Sequence, residues 1–131
     1  MTSLRIINKA LFCLYLTAVC FLCFGKPEDI PQMQEFWFGL PSDKVCHFLM
    51  FAPFPFLAYH SLKTKEMSLS RRLLTLGIIV LSGIGLSIAT EQIQALTAYR
   101  EADIMDFYTD CAGLMTSGAA MTLLIIYRRN K

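Results

Sequence analysis

Long apolar stretches alternate with short polar connections along this chain of 131 residues. Four stretches are almost free of charged side chains, at residues 10–24, 45–62, 73–90 and 111–127. Each approaches the ~20 residues that an α-helix needs to cross a bilayer, and a helix can continue beyond its uncharged part. Because backbone groups in hydrocarbon must form hydrogen bonds within their own segment, this pattern predicts membrane-spanning α-helices.

We therefore predict an all-α integral membrane bundle of four transmembrane helices, at about residues 5–24, 43–62, 72–95 and 103–127. The alternative is four core helices of a soluble bundle, which would need polar faces that the last two stretches lack. Pro53 and Pro55 interrupt the second stretch. They predict a kink there, because proline removes a backbone donor and crowds the preceding turn.

Composition agrees with a membrane protein, since 55% of the residues are hydrophobic and 17% are charged. The length corresponds to one domain, and we treat residues 1–131 as a single unit. The first stretch has no clear small-residue cleavage site after it, so we interpret it as a membrane span rather than a cleaved signal peptide.

Basic residues gather on one side of the predicted membrane. Nine of the twelve lysines and arginines lie in the two terminal segments and in the connection 63–72, where Glu66 is the one acid. These nine are Arg5, Lys9, Lys63, Lys65, Arg71, Arg72, Arg128, Arg129 and Lys131. By the positive-inside rule, both termini and the connection 63–72 are cytoplasmic, and the acidic connections 25–44 and 91–110 face outward. We expect a multi-pass protein of the cytoplasmic (inner) membrane.

Small residues recur at close-packing spacing in the last two predicted helices. Gly83 pairs with Ser87, and Gly113 pairs with Ser117, as in seams where two membrane helices touch. Two of the five cysteines, Cys46 and Cys111, fall at the outer ends of predicted spans. The sequence leaves open whether they form a disulfide or simply pack as small apolar residues.

Polar residues gather at the outer ends of three predicted helices. Asp103, Asp106 and Asp110 follow a 3-4 spacing, which places their carboxylates on one face of the fourth helix. Arg100, on the preceding turn, is the expected counter-charge, because its planar fork matches a carboxylate or a phosphate. The predicted polar cluster comprises Asp43, Lys44, His47, Glu91, Gln94, Arg100, Asp103, Asp106 and Asp110.

Two interpretations of these acids remain open. Acids in outer connections are often simply solvated, whereas a one-sided stripe of three aspartates indicates a site, because solvation requires no periodicity. His47 beside Asp43 is a candidate acid/base or metal ligand. No strong metal-ligand or cofactor spacing is present, so we predict neither a metal nor a cofactor. We expect membrane lipids as partners and no nucleic acid.

Two blocks of the sequence resemble the VanZ-like family of membrane proteins. "DKVCHFLMF" is similar to the family's D-K-x-x-H-F-x-x-F signature. "EQIQALTAYREADIMDFYTDCAG" is similar to its second block, an E-x-x-Q followed by an arginine and then D-x-x-x-N-x-x-G. The second block supplies Glu91, Gln94, Arg100, Asp106, Asp110 and Gly113. The distinctive part of the resemblance covers about residues 42–127, and Asp110 stands where the family usually has asparagine.

The resemblance implies a small multi-helix membrane protein linked to low-level resistance to teicoplanin, a lipid-bearing glycopeptide. We expect the outer cluster to bind a lipid-linked cell-envelope precursor or a lipoglycopeptide, with Arg100 and Lys44 as charge partners. The alternative is a membrane enzyme acting on a lipid headgroup. In that case His47 and Asp43 would transfer protons, and the carboxylate stripe would orient water or hold a metal. A cation path is a third hypothesis, which the position of the acids at span ends disfavours.

Overall fold

The computed structural model describes residues 2–26, 28, 35–64, 66–97 and 103–129. The chain is all-helical apart from a short ribbon, as the apolar pattern predicts. The helices are α1 (Thr2–Phe24), α2 (Ser42–Phe51), α3 (Pro53–Ser61), α4 (Leu69–Ala95) and α5 (Ile104–Arg129). The ribbon is an antiparallel pair of two-residue strands, β1 (Phe36–Trp37) and β2 (Leu40–Pro41), which leads directly into α2.

Among the described residues, three helices are long and apolar enough to cross a membrane, and they lie at Ser3–Phe24, Leu69–Ala95 and Ile104–Arg129. The fourth predicted span, residues 43–62, is instead divided into α2 and α3, which have 10 and 9 residues. Neither of these helices is long enough to cross a bilayer by itself. The prediction of four single spanning helices is therefore not confirmed.

The break between α2 and α3 follows from the two prolines. Ala52 keeps a right-handed helical conformation, and its N–H donates to the Phe48 carbonyl at 2.9 Å. Pro53 and Pro55 have no N–H, so the helical hydrogen bonds cannot continue at either position. The predicted interruption is therefore present. Backbone hydrogen bonds are lost at the two prolines, while the chain keeps a helical conformation at Ala52.

The α2–α3 segment forms the centre of the bundle, with α1, α4 and α5 packed around it. The core is apolar and draws on α2, α3, α4 and α5. Its members are Phe51, Phe54, Ala58, Tyr59, Leu76, Ile79, Leu114, Met121 and Ile125. Large apolar side chains also cover the outside of the three long helices, for example Leu14, Leu81 and Leu123. A continuous apolar exterior of this kind is what a helix bundle presents to lipid.

Glycine permits α5 to approach the centre of the bundle closely. A Cβ atom at Gly113 would lie 2.6 Å from the Phe48 carbonyl oxygen and 3.1 Å from the Ala52 nitrogen. A Cβ atom at Gly83 would lie 2.6 Å from Cδ2 of Leu114. The obstacle at Gly113 is backbone and cannot rotate away, so this position sets the distance between α5 and α2. Ser117, one turn further along α5, is half-buried.

We expect Gly113→Ala to lower the free energy of unfolding by about 1–3 kcal/mol, because the added methyl group forces two backbones apart. Gly77→Ala is the matched control, since a Cβ atom there meets nothing within 4 Å. The control should leave stability unchanged or raise it by up to about 1 kcal/mol. Thermal unfolding in detergent measures both effects, and equal stability of the two variants would contradict the close approach.

Candidate functional site

The ends of three helices bring polar side chains together at one end of the bundle. In space, the N-terminal ends of α2 and α5 lie beside the C-terminal end of α4. The first turns of two helices therefore face the last turns of the third. The residues that meet there are Asp43, Lys44 and His47 from α2, Ser87 and Glu91 from α4, Asp106 and Asp110 from α5, and Asp103 just before α5. Most of them are buried, which excludes simple solvation for the inner members of the cluster.

A buried hydrogen-bonded chain joins all three helices. Nδ1 of His47 lies 2.9 Å from Oδ1 of Asp110, and the Ser87 hydroxyl donates to Oδ2 of Asp110 at 2.6 Å. The Asp110 side chain is fully buried. A carboxylate only accepts hydrogen bonds, so Nδ1 of His47 holds a hydrogen, and in the neutral ring Nε2 then holds the lone pair. The chain therefore fixes both the ring orientation and the tautomer of His47.

Lys44 is the counter-charge of the carboxylates at the mouth of the cluster. Its ammonium donates to Oδ2 of Asp103 and to Oδ1 of Asp106, and it lies 3.7 Å from Oδ2 of Asp43. The hydrogen bond from Lys44 lowers the pKa of the Asp103 carboxyl. Asp103 also caps α5, because its Oδ1 accepts a hydrogen bond from the Met105 N–H at 2.9 Å.

The second nitrogen of the His47 ring faces two more carboxylates. Nε2 lies 3.5 Å from Oδ2 of Asp106 and 3.9 Å from Oδ1 of Asp43. Both separations exceed the range of an N–H···O hydrogen bond. The sequence pairs His47 with Asp43 by their i, i+4 spacing, but Asp110 is the hydrogen-bond partner. Asp43 stays in the outermost turn of α2, where its side chain is 60% exposed.

The two polar residues predicted at the end of α4 have different contacts. Oε2 of Glu91 accepts a long hydrogen bond, 3.3 Å, from the Asp103 N–H. Its Oε1 is buried and has no hydrogen-bond partner within the described part of the chain. Gln94 donates its amide to the Cys23 carbonyl at 2.9 Å, so it connects α4 to the end of α1. Glu91 is thus part of the cluster, whereas Gln94 contributes a contact between helices.

The remaining expectations from the sequence concern Arg100, Ser87 and the two cysteines at the ends of the predicted spans. Arg100, the predicted counter-charge, lies outside the described residues. Ser87 was assigned to helix packing, yet it donates a hydrogen bond to Asp110. Its position four residues before Glu91 places both on one face of α4, and this spacing is the signal that could have identified it. Cys46 and Cys111 are half-buried thiols, which agrees with the packing interpretation.

Comparison with known families gives a broad match. A model of the family described as VanZ/LLP1 matches residues 10–127. The chain belongs to the VanZ/LLP1 family. The match begins within α1, so in this VanZ/LLP1 protein the first helix is part of the family fold as well as the two blocks that carry the resemblance. Neither the curated proteins nor the solved structures contain a match to the chain.

The fold brings together the two blocks of the VanZ/LLP1 resemblance, which are far apart in the chain. His47 from the first block hydrogen-bonds to Asp110 from the second, across 63 residues. Gly113, one turn after Asp110, gives α5 the close approach to α2 that this contact requires. The D-x-x-x-[ND]-x-x-G pattern therefore combines a polar anchor with the space needed to reach it.

Asparagine, the residue usual in the family at position 110, should be tolerated. In Asp110→Asn, the amide oxygen can accept from His47 while the amide nitrogen donates to the Ser87 hydroxyl. Asp110→Ala leaves both donors buried without an acceptor, which costs about 1–3 kcal/mol for each lost partner. We expect Asp110→Asn to unfold within a few degrees of the native protein in detergent and Asp110→Ala to unfold well below it. Equal losses in both variants would contradict the hydrogen-bonded chain.

Proposed function

We propose that this VanZ/LLP1 protein binds the polar headgroup of a cell-envelope amphiphile at the outer surface of the cytoplasmic membrane. The ligand is a lipid-linked wall precursor or a lipoglycopeptide, and binding links the protein to teicoplanin resistance. The observation that supports this proposal is the buried network of Ser87, Asp110 and His47 at one end of an otherwise apolar bundle.

Stability alone is a poor explanation for this network. Removing carboxylates and an imidazole from water costs several kcal/mol per ion, and well-packed apolar residues of similar volume are often equally or more stable. Ionisable residues within membrane segments are rare and are associated with ligand or ion sites. Asp106 and Asp110 lie inside α5 and Glu91 lies inside α4, both of which can span a membrane. Retaining these groups therefore favours a binding or chemical role.

The distribution of charge supports an outward-facing cluster. The segment α2–α3 covers residues 42–61, and at about 1.5 Å per residue it is ~30 Å long, which matches the hydrocarbon core. If it crosses together with α1, α4 and α5, both termini lie on the same side. Arg5, Arg71 and Arg128 then share the cytoplasmic face, as the positive-inside rule requires. The polar cluster lies at the opposite end.

The existing contacts restrict the chemistry of the ligand. Lys44 already bonds to Asp103 and Asp106, so its charge is not available to a bare phosphate. Exposed Asp43 offers an acceptor at the mouth of the cluster. Carboxylates bind hydroxyl and ammonium groups through charge-assisted hydrogen bonds. A glycosylated or amine-bearing headgroup fits this surface better than a purely anionic one.

A membrane enzyme acting on a lipid headgroup is the second candidate, and one observation favours it. Asp110 orients His47 through Nδ1, which leaves the basic Nε2 directed at the outer carboxylates. An imidazole held in this way by a carboxylate is suited to general acid/base catalysis. An enzyme would convert its headgroup into a product, whereas a binder would release it unchanged.

Topology can be tested by labelling single cysteines in a variant that lacks the five native ones. We expect a membrane-impermeant maleimide to label Thr97→Cys in intact cells and to label Lys63→Cys only after the membrane is opened. The reason is that four crossings place the two positions on opposite faces. Labelling of Lys63→Cys in intact cells would contradict the proposed orientation.

The role of the cluster can be tested with its histidine and a matched control on the same segment. We expect cells that express His47→Ala to show the teicoplanin susceptibility of cells without the protein, because the variant loses the centre of the network. His60→Ala should keep native susceptibility, since Nδ1 of His60 contacts only its own helix, at Phe56, among the described hydrogen bonds. Membrane levels of both variants are measured by immunoblot.

If His47→Ala reaches the native level in the membrane and keeps the native susceptibility, the proposed site is wrong. Vancomycin, a glycopeptide without the lipid chain, is the matched drug control. An equal effect on both drugs would remove the lipid-bearing part of the ligand from the proposal.

A further inference from the structure

Three atoms suited to binding metal converge at the mouth of the polar cluster. They are Nε2 of His47, Oδ2 of Asp106 and Oδ1 of Asp43, and one ligand atom from each residue lies within 4.8 Å of the others. The distances from Nε2 are 3.5 Å and 3.9 Å. Ligands bound to a tetrahedral metal at ~2.1 Å lie about 3.4 Å apart. The spacing thus exceeds a hydrogen bond and is close to the separation that a shared ion imposes.

The other oxygen of each aspartate faces Lys44. The ammonium bonds to Oδ1 of Asp106 and lies 3.7 Å from Oδ2 of Asp43. This division leaves one oxygen of each carboxylate directed at Nε2 of His47. Lys44 therefore contacts the oxygens of the two aspartates that do not face the histidine.

The opposite side of the histidine ring has the contacts of a metal ligand. Histidines that bind metal through one nitrogen usually donate the other N–H to a carboxylate, which is itself hydrogen-bonded. His47 has this arrangement, because Nδ1 bonds to Asp110 and Asp110 accepts from Ser87. In the neutral ring, Nε2 presents its lone pair to Asp43 and Asp106, and a bound metal selects this form because a histidine ligand must be neutral.

Glu91 gives an independent indication that a ligand belongs here. Its Oε1 is buried and has no hydrogen-bond partner in the part of the chain that the structure describes. One carboxylate oxygen of Glu91 lies within 4.8 Å of ligand atoms of His47 and Asp110. A buried carboxylate oxygen without a donor is costly, so this oxygen favours a cation or a hydrogen-bond donor bound beside His47.

The balance of charge points in the same direction. Within the described ranges, five carboxylates of the cluster face one ammonium, that of Lys44, and the imidazole of His47. The five are Asp43, Glu91, Asp103, Asp106 and Asp110. Carboxylates at this range repel one another unless a proton or a cation compensates them, and a divalent ion does so with two charges.

We propose that Asp43, His47 and Asp106 bind a divalent transition-metal ion of the zinc class, with Asp110 and Ser87 as outer positioning residues. Three protein ligands leave a fourth position for water or a headgroup, beside the exposed Asp43. The linear sequence shows no metal spacing because the ligands come from two helices that are distant in the chain. The inference rests on the proposed function in that both concern the same site. The two can fail separately, because metal binding is measured on the purified protein and resistance by the drug susceptibility of cells.

The test uses the full chain, purified in detergent, stripped with a chelator and dialysed against buffered Zn²⁺. We expect about one Zn²⁺ per chain by atomic absorption, and no retained Mg²⁺, because one nitrogen and few oxygens suit zinc better than magnesium. Asp43→Asn should lose the ion, and Ser87→Ala should weaken binding about 10-fold or more. Glu66→Gln is the matched control, since it neutralises an exposed carboxylate in the connection 63–72, outside the polar cluster.

Cobalt substitution gives a second measurement that needs no variant. Co²⁺ bound to one imidazole and two carboxylates in tetrahedral geometry should show intense visible d–d absorption. Added Zn²⁺ should displace the Co²⁺ and remove this absorption. The proposal is overturned if the native chain retains no stoichiometric Zn²⁺, if Glu66→Gln loses as much metal as Asp43→Asn, or if Co²⁺ shows only the weak spectrum of the hydrated ion. A native chain that binds Zn²⁺ but gives cells no teicoplanin resistance would instead count against the proposed function alone.

Discussion

The buried carboxylate of Asp110 is the constraint on which the rest of this structure depends. A charge fully removed from water needs donors on both oxygens, and His47 on α2 and Ser87 on α4 supply them. These bonds fix three helices to one another at the same height. Gly113 completes the arrangement, because a larger residue there would collide with the backbone of α2 and hold α5 too far away. The hydrogen bonds of Asp110 and the close packing at Gly113 therefore depend on each other.

The same constraint explains the contrast between the two halves of the molecule. The centre of the bundle is apolar, with Phe51 and Leu114 fully buried, whereas the end formed by α2, α4 and α5 holds the buried ionisable side chains His47, Glu91, Asp106 and Asp110. In lipid, such groups can only face inward or toward the membrane surface. The polar end is consequently the most constrained part of the fold, and the exposed side chain of Asp43 lies at its mouth.

Hydropathy predicted the helices well, because apolar length reports directly on what lipid requires. Hydropathy could not show that Pro53 divides one predicted span into two short helices. In sequence, a proline that kinks a helix and a proline that ends one look the same. Helical spacing predicted that Asp103, Asp106 and Asp110 share a face. It could not show which helix meets that face, so His47 was paired with its neighbour Asp43 instead of Asp110. Ser87 was assigned to packing for the same reason.

The buried hydrogen bond between Nδ1 of His47 and Asp110 is tested most directly by ¹⁵N and ¹H NMR of histidine-labelled, metal-free protein. The chain has two histidines, so a His60→Gln variant leaves the His47 signals alone. We predict an Nδ1–H proton that is hydrogen-bonded, exchanges slowly with water and disappears in Asp110→Ala. A His47 ring protonated only at Nε2, or one whose Nδ1–H exchanges as fast as that of a free imidazole, would contradict it.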